Sequence, residues 1–90
     1  MLAQAQSLQS QFERAQADLA ARDITGSAGG GLVEATVAGT GELKALRIAA
    51  EVCDPNDTET LADLIVAAVR DANSRAAEVA RATMPSLPGF

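Results

Sequence analysis

The first of three segments with different apolar spacing runs from Met1 to about Arg22. It contains no Gly or Pro, and its apolar side chains recur at alternating steps of four and three residues. These positions are Met1, Ala5, Leu8, Phe12, Ala15 and Leu19. Such spacing is typical of a helix with one apolar seam. It predicts a helix roughly 33 Å long, which we expect to protrude or to pack along a partner chain.

The middle segment, Asp23 to Ala49, has the two-residue period of β-strands. Small or apolar residues alternate with polar ones, and two glycine-rich stretches between them favour tight turns. Strands are predicted over 24–28, 33–37 and 42–48, with turns at 29–31 and 39–41. We expect a three-stranded antiparallel meander.

The third predicted strand has an irregular phase. Leu46 and Ile48 share one face with Lys44, whereas Leu43 falls on the other face. A β-bulge, or a second face that is partly covered, would account for this pattern.

The last segment predicts a second helix that ends near Thr83. Either Asp54 caps it with Pro55 in the first helical position, or Asp57 caps a helix that begins at Thr58. Its apolar stripe consists of Leu61, Ile65, Ala68, Ala72, Ala76, Val79 and Thr83. Leu64, Val69 and Ala80 flank this stripe.

The length of the chain and its alanine content indicate one small domain with a thin core. Of the 90 residues 48% are hydrophobic, but the only aromatic ones are Phe12 and Phe90. A core of this kind often needs a second copy to bury enough surface, so a homodimer is expected. We predict a single domain over 1–84 and a flexible tail over 85–90, because Pro85 prevents the helix from continuing.

The composition argues against an enzyme, a cofactor and a small-molecule substrate. The chain has no histidine, and its single cysteine, Cys53, allows neither an internal disulfide nor a four-cysteine zinc site. The N-terminus lacks the features of a signal peptide, and the apolar run 64–69 is too short to span a bilayer. We therefore expect a cytoplasmic protein without a membrane partner.

The formal net charge is −5, which is unfavourable for a protein that binds an anionic polymer. Four acidic residues, Asp54, Asp57, Glu59 and Asp63, account for most of this excess. Their spacing does not match a calcium-binding loop, whereas carboxylates in a first helical turn favourably oppose the helix dipole, so no metal is expected. The glycines at 29–31 lack the Lys and the following helix of a phosphate-binding loop and are interpreted as a turn.

The seven basic residues form no patch that spacing alone would reveal. Arg70 and Arg81 are eleven residues apart and share a helix face, while Arg75 is displaced and could pair with Glu78. From spacing alone, solvated helix faces with local ion pairs are the better interpretation.

Five features taken together resemble the YbaB/EbfC family of bacterial nucleoid-associated proteins. They are the Gln-rich start at 1–6, the Thr-Gly-Ser-Ala-Gly-Gly-Gly-Leu-Val run at 25–33, Gly-Thr-Gly-Glu at 39–42, Asp-Pro at 54–55 and Leu-Ala-Asp-Leu-Ile-Val-Ala-Ala at 61–68. The resemblance covers nearly the whole chain.

The resemblance implies an α+β chain of order α-β-β-β-α that dimerises through its sheet region, with long helices that project like tweezers. It also implies a cytoplasmic, DNA-binding protein of the bacterial nucleoid without enzymatic activity. Many relatives carry lysines in the first helix, where this chain has Gln4, Gln6, Gln9 and Gln11, and Arg14 is its first basic residue. Fewer cations mean less counterion release, and hence weaker binding or a shallower dependence on salt.

Our hypothesis is a homodimeric nucleoid-associated protein that contacts DNA phosphates and thereby affects nucleoid organisation and gene expression. The expected phosphate contacts are Arg14, Arg22, Arg70, Arg75 and Arg81. The expected dimer interface is Leu8, Phe12, Leu19, Leu61, Ile65 and Ala68. The alternative, which the acidic balance favours, is a small dimeric adaptor or regulator that binds a protein partner and not DNA.

Overall fold

The computed structural model describes residues 2–83 and confirms the predicted α-β-β-β-α order. Its elements are α1 (Leu2–Ala21), β1 (Asp23–Ala28), β2 (Val33–Ala38), β3 (Leu43–Ile48), a short 3₁₀ helix (Ala50–Val52) and α2 (Thr58–Thr83). The predicted tail over 85–90 lies outside the described residues, and the 3₁₀ helix was not predicted. Within 2–83 no helix is both long and apolar enough to cross a membrane.

α1 is attached to the rest of the fold near its C-terminal end. The Leu19 side chain is buried, and the Leu19 carbonyl accepts a hydrogen bond of 2.8 Å from the Gly39 amide just beyond β2. Farther along the same stripe, Leu8 is 64% exposed and Phe12 is 50% exposed. The apolar seam of α1 is thus covered at one end and bare toward the other, in a molecule that measures 64 × 23 × 16 Å.

The sheet is an antiparallel meander with the strand order β1-β2-β3. Between β2 and β3 the register shifts, so that Thr36 lies opposite Ala45 while Val37 lies opposite Leu43. This shift skips Lys44 and confirms a bulge, one of the two explanations considered for the irregular phase. Leu43 is thereby brought to the same face as Leu46.

α2 begins at Thr58 because Asp57 caps it. The Asp57 carboxylate accepts hydrogen bonds from the Thr60 amide at 3.3 Å and from the Thr60 hydroxyl at 2.7 Å. Asp54 instead holds the preceding turn, where its carboxylate accepts from the Asn56 amide at 2.9 Å. Of the two predicted helix starts, the one with Asp57 as the cap is therefore confirmed.

The core lies where α2 crosses β1 and β2. Its fully or almost fully buried side chains are small: Val33, Ala35, Val37, Ala68, Ala72 and Ala76. On β1, Gly26 faces the helix so closely that a Cβ there would overlap the Ala72 backbone and come within 2.8 Å of the Ala68 carbonyl oxygen. The glycine is therefore what allows the helix backbone to rest directly on the strand.

Gly26→Ala is expected to destabilise the fold by at least about 2 kcal/mol, because the added methyl meets backbone atoms that cannot move aside as a side chain would. Urea unfolding followed by circular dichroism measures the loss. Ser27→Ala, a substitution at the exposed neighbouring position, is the control and should stay within about 0.5 kcal/mol of the unmodified protein. Equal stability of the two variants would contradict the close packing inferred at Gly26.

Candidate nucleic-acid interface and dimer surfaces

The five arginines predicted to contact DNA are all exposed. Arg14 lies on α1, Arg22 follows its last residue, and the other three lie on α2. Within the described part of the chain, four of the five have no acidic partner within ion-pair distance: Arg14, Arg22, Arg70 and Arg81. Their guanidinium groups are therefore available to an anionic ligand.

Arg75 differs from the other four because it is already paired. Its Nε lies 3.3 Å from Asp71 Oδ2, and the same oxygen accepts a hydrogen bond of 3.0 Å from the Ser27 backbone amide on β1. The Ser27 hydrogen bond lowers the pKa of Asp71, desolvation opposes that effect, and the positive charge of Arg75 lowers the pKa further. Arg75 thus pairs with Asp71 and not with Glu78 as predicted. The hydrogen bond from Ser27 to Asp71 ties α2 to β1.

Arg70 and Arg81 lie eleven residues apart on α2, which corresponds to about 16 Å along the helix axis. Between them the outward surface carries short exposed side chains, Ser74 and Ala77. The helix therefore presents two cations separated by a low surface that a bulky ligand can approach. Because this one pair already spans such a distance, the five arginines do not form a single compact patch.

The acidic side chains are concentrated at the opposite end of α2. They occupy the 3₁₀ helix, the following turn and the first turns of α2: Glu51, Asp54, Asp57, Glu59 and Asp63. Within residues 2–83, no three acidic or cysteine side chains come together in a way that could hold a metal ion. Much of the acidic charge thus lies at the N-terminal end of α2, while Asp71 and Glu78 lie between Arg70 and Arg81.

The six residues predicted for the dimer interface differ in their burial. Leu8 and Phe12 are exposed, whereas Leu19 is buried at the junction of α1 with the sheet. Leu61 and Ile65 are partly buried against the core, and Ala68 is fully buried within it. Leu8 and Phe12 therefore have the most surface left for a second chain to cover.

A groove of about 440 Å³ continues the exposed stripe of α1. Its apolar lining comes from Leu19 on α1 and from Ala76 and Ala80 on α2, with Gln16, Thr40 and Asn73 among its polar residues. An apolar surface therefore passes from Phe12 along α1 to α2.

A second exposed apolar surface was not predicted from the sequence. Leu43 is 49% exposed, Leu46 is 38% exposed and Val66 on α2 is 47% exposed. The two leucines are exposed because α2 packs against β1 and β2 and leaves the corresponding face of β3 largely uncovered. The irregular phase of β3 was the available signal, since a bulge places Leu43 beside Leu46.

Comparisons with known proteins agree with this architecture. The sequence model of the YbaB/EbfC DNA-binding family matches residues 1–89. A nucleoid-associated protein of Cutibacterium acnes is 57% identical over 90 residues, which make up 100% of this chain and 84% of that protein. One of Rhodococcus opacus is 47% identical over 102 residues, covering 100% of this chain and 90% of that protein.

A solved structure of an uncharacterized protein from Helicobacter pylori has the same fold. The TM-score is 0.78 at 21% sequence identity, and the match covers 89% of this chain and 84% of that one. From the match to the family over nearly its whole length and from the similarity to the C. acnes protein, this chain belongs to the YbaB/EbfC DNA-binding family.

Proposed function

We propose that this chain is a homodimeric, nucleoid-associated protein that binds duplex DNA mainly through phosphates and acts by binding rather than by catalysis. The family is described as DNA-binding, and the relatives from C. acnes and R. opacus are named nucleoid-associated proteins. The observation that carries the proposal is the pair of exposed arginines on the outer face of α2, Arg70 and Arg81. Neither has an acidic partner within ion-pair distance in the part of the chain that the structure describes.

Phosphates are the target that these side chains suit. Guanidinium groups bind phosphate oxygens with two hydrogen bonds and release condensed counterions as they do so. Aromatic side chains that could stack on bases are scarce, since the chain has only Phe12 and Phe90. In this proposal Arg14, Arg22, Arg70, Arg75 and Arg81 supply the contacts, and Arg75 contributes least because Asp71 already holds it.

Contacts to phosphates carry little information about base sequence. A protein that binds in this way occupies many sites along a chromosome. In the cytoplasm it would associate with the nucleoid, influence its organisation and, through occupancy of promoters, affect gene expression.

The exposed area of the chain supports the homodimer. The chain exposes 6483 Å², whereas a compact monomer of 90 residues exposes about 4900 Å². The excess of about 1500 Å² per chain falls within the range that obligate homodimers bury. We propose that two apolar stripes complete a joint core in the dimer. One contains Leu8, Phe12 and Leu19, and the other contains Leu61, Ile65 and Ala68.

Replacing Arg70 and Arg81 together by alanine is expected to weaken DNA binding and to flatten its dependence on salt. Each lost phosphate contact reduces the magnitude of the negative slope of log K against log salt concentration by about 0.9. Fluorescence anisotropy with a labelled duplex, from low to physiological salt, measures both quantities. Arg70→Lys is the matched control, since it keeps the charge and should keep the slope.

The DNA proposal is wrong if the unmodified dimer does not bind the duplex even at low salt. An unchanged slope in the double alanine variant would instead show that these two arginines are not the contacts.

Phe12→Asp is expected to weaken the dimer, because it places a charge in the exposed apolar stripe of α1 that the second copy would cover. Ser10→Asp introduces the same charge about 160° away around the helix and should leave the dimer intact. Light scattering after size exclusion, over a range of protein concentrations, gives the mass of each variant. Equal dimer populations in the two variants would contradict a role for this stripe in the interface.

A further inference from the structure

The groove between α1 and α2 is lined largely by residues that have little or no side chain. Five of its nine lining residues are glycine or alanine: Gly39, Gly41, Ala76, Ala77 and Ala80. Its volume of about 440 Å³ is within the range of pockets that bury a small ligand, so it has room for two large side chains. The described part of the chain leaves this hollow unfilled.

Polar groups with unused hydrogen-bonding capacity belong to the same groove. They are the side chains of Gln16, Thr40 and Asn73. Within residues 2–83, none of the three makes a hydrogen bond. Because amide and hydroxyl groups both donate and accept, the groove suits an occupant whose backbone amide and carbonyl groups are not already bonded to each other.

The segment that follows α2 begins beside this groove. α2 extends only about one turn beyond Ala80, to Thr83. Residues 84–90, with the sequence Met-Pro-Ser-Leu-Pro-Gly-Phe, lie outside the described residues. Pro85 cannot continue a helix and disfavours the helical conformation of the residue before it. The chain therefore leaves the axis of α2 within one turn of the groove.

The spacing of apolar residues in this segment matches the length of the groove. Proline-rich segments adopt the polyproline II conformation, which has three residues per turn and a rise of about 3.1 Å per residue. In that conformation Leu87 and Phe90 lie on one side, about 9 Å apart. On α2 the groove runs from Asn73 to Ala80, which is about 10.5 Å along the helix axis. A polyproline II backbone has no internal hydrogen bonds, as the polar groups of the groove require.

We propose that residues 84–90 turn back along α2 and dock in the groove of their own chain, with Leu87 and Phe90 as the side chains that fill it. Residues 84–86 provide the reversal of direction. Attachment to α2 gives the segment an effective concentration of the order of millimolar, which favours it over a segment of another molecule. Leu8 and Phe12, farther along α1, stay exposed for a second copy.

A tryptophan at position 90 tests the docking. The chain has no tryptophan or tyrosine, so Phe90→Trp in the full chain gives a single fluorescent reporter. A synthetic peptide of residues 84–90 with the same substitution is the exposed reference. Docking predicts an emission maximum shifted to the blue and acrylamide quenching several-fold weaker than in the peptide. Emission and quenching equal to those of the peptide would overturn the proposal.

A charge in the groove tests where the segment docks. Ala77→Asp, at an exposed position of the lining, should return the reporter to the emission and quenching of the peptide. Ala82→Asp is the matched control, because it puts the same charge at an exposed position of α2 about 140° around the helix. It should leave the reporter protected, and circular dichroism checks that both variants keep their helices. A reporter equally protected in both variants rules out docking in this groove.

Mixing distinguishes a chain's own groove from that of a second copy. The reporter chain is unfolded and refolded with a large excess of the Ala77→Asp chain, which keeps Phe90 and has no fluorescent reporter. Docking within one chain predicts that the tryptophan stays protected, whereas its exposure on mixing would place the segment in a second copy and contradict the proposal. A reporter that is exposed before mixing, together with a smaller mass of the Ala77→Asp chain in light scattering, would assign the groove to a second copy and contradict it as well.

Discussion

The close approach of the α2 backbone to β1 determines most of the architecture. Gly26 has no side chain, and Ala68 and Ala72 opposite it are small, so the helix rests on the β1 side of the sheet. From that position Asp71 reaches the outer edge of β1 and bonds to it. The same position leaves the α2 face of β3 largely bare. A core made chiefly of alanine and valine thus holds one helix very tightly but covers only part of the sheet.

The distribution of charge follows from the same helix. Its N-terminal end carries a capping aspartate and further acids, which the helix dipole favours, and the arginines follow farther along the helix together with Asp71 and Glu78. A protein with a net charge of −5 can in this way present local positive charge to a duplex. Pairing of Arg75 with Asp71 and of Lys44 with Asp23 assigns part of the small set of cations to holding the fold.

Periodicity predicted what depends on neighbours along the chain. The three strands, the stripe of α2, Asp57 as one of two possible caps and a bulge near Lys44 were all within its reach. It did not reveal where α2 would lie across the sheet, because that depends on a contact between Gly26 and residues more than forty positions away. For this reason the Asp71–Ser27 bond and the exposure of Leu46 were missed.

One chain leaves its apolar surfaces incomplete, and in the proposed homodimer a second copy covers them. Mass action stabilises an associated native state as protein concentration rises, so the decisive measurement is urea unfolding at protein concentrations spanning three orders of magnitude. The unfolding midpoint should increase steadily with protein concentration. A midpoint that is the same at every concentration would mean that the single chain is stable alone and needs no second copy.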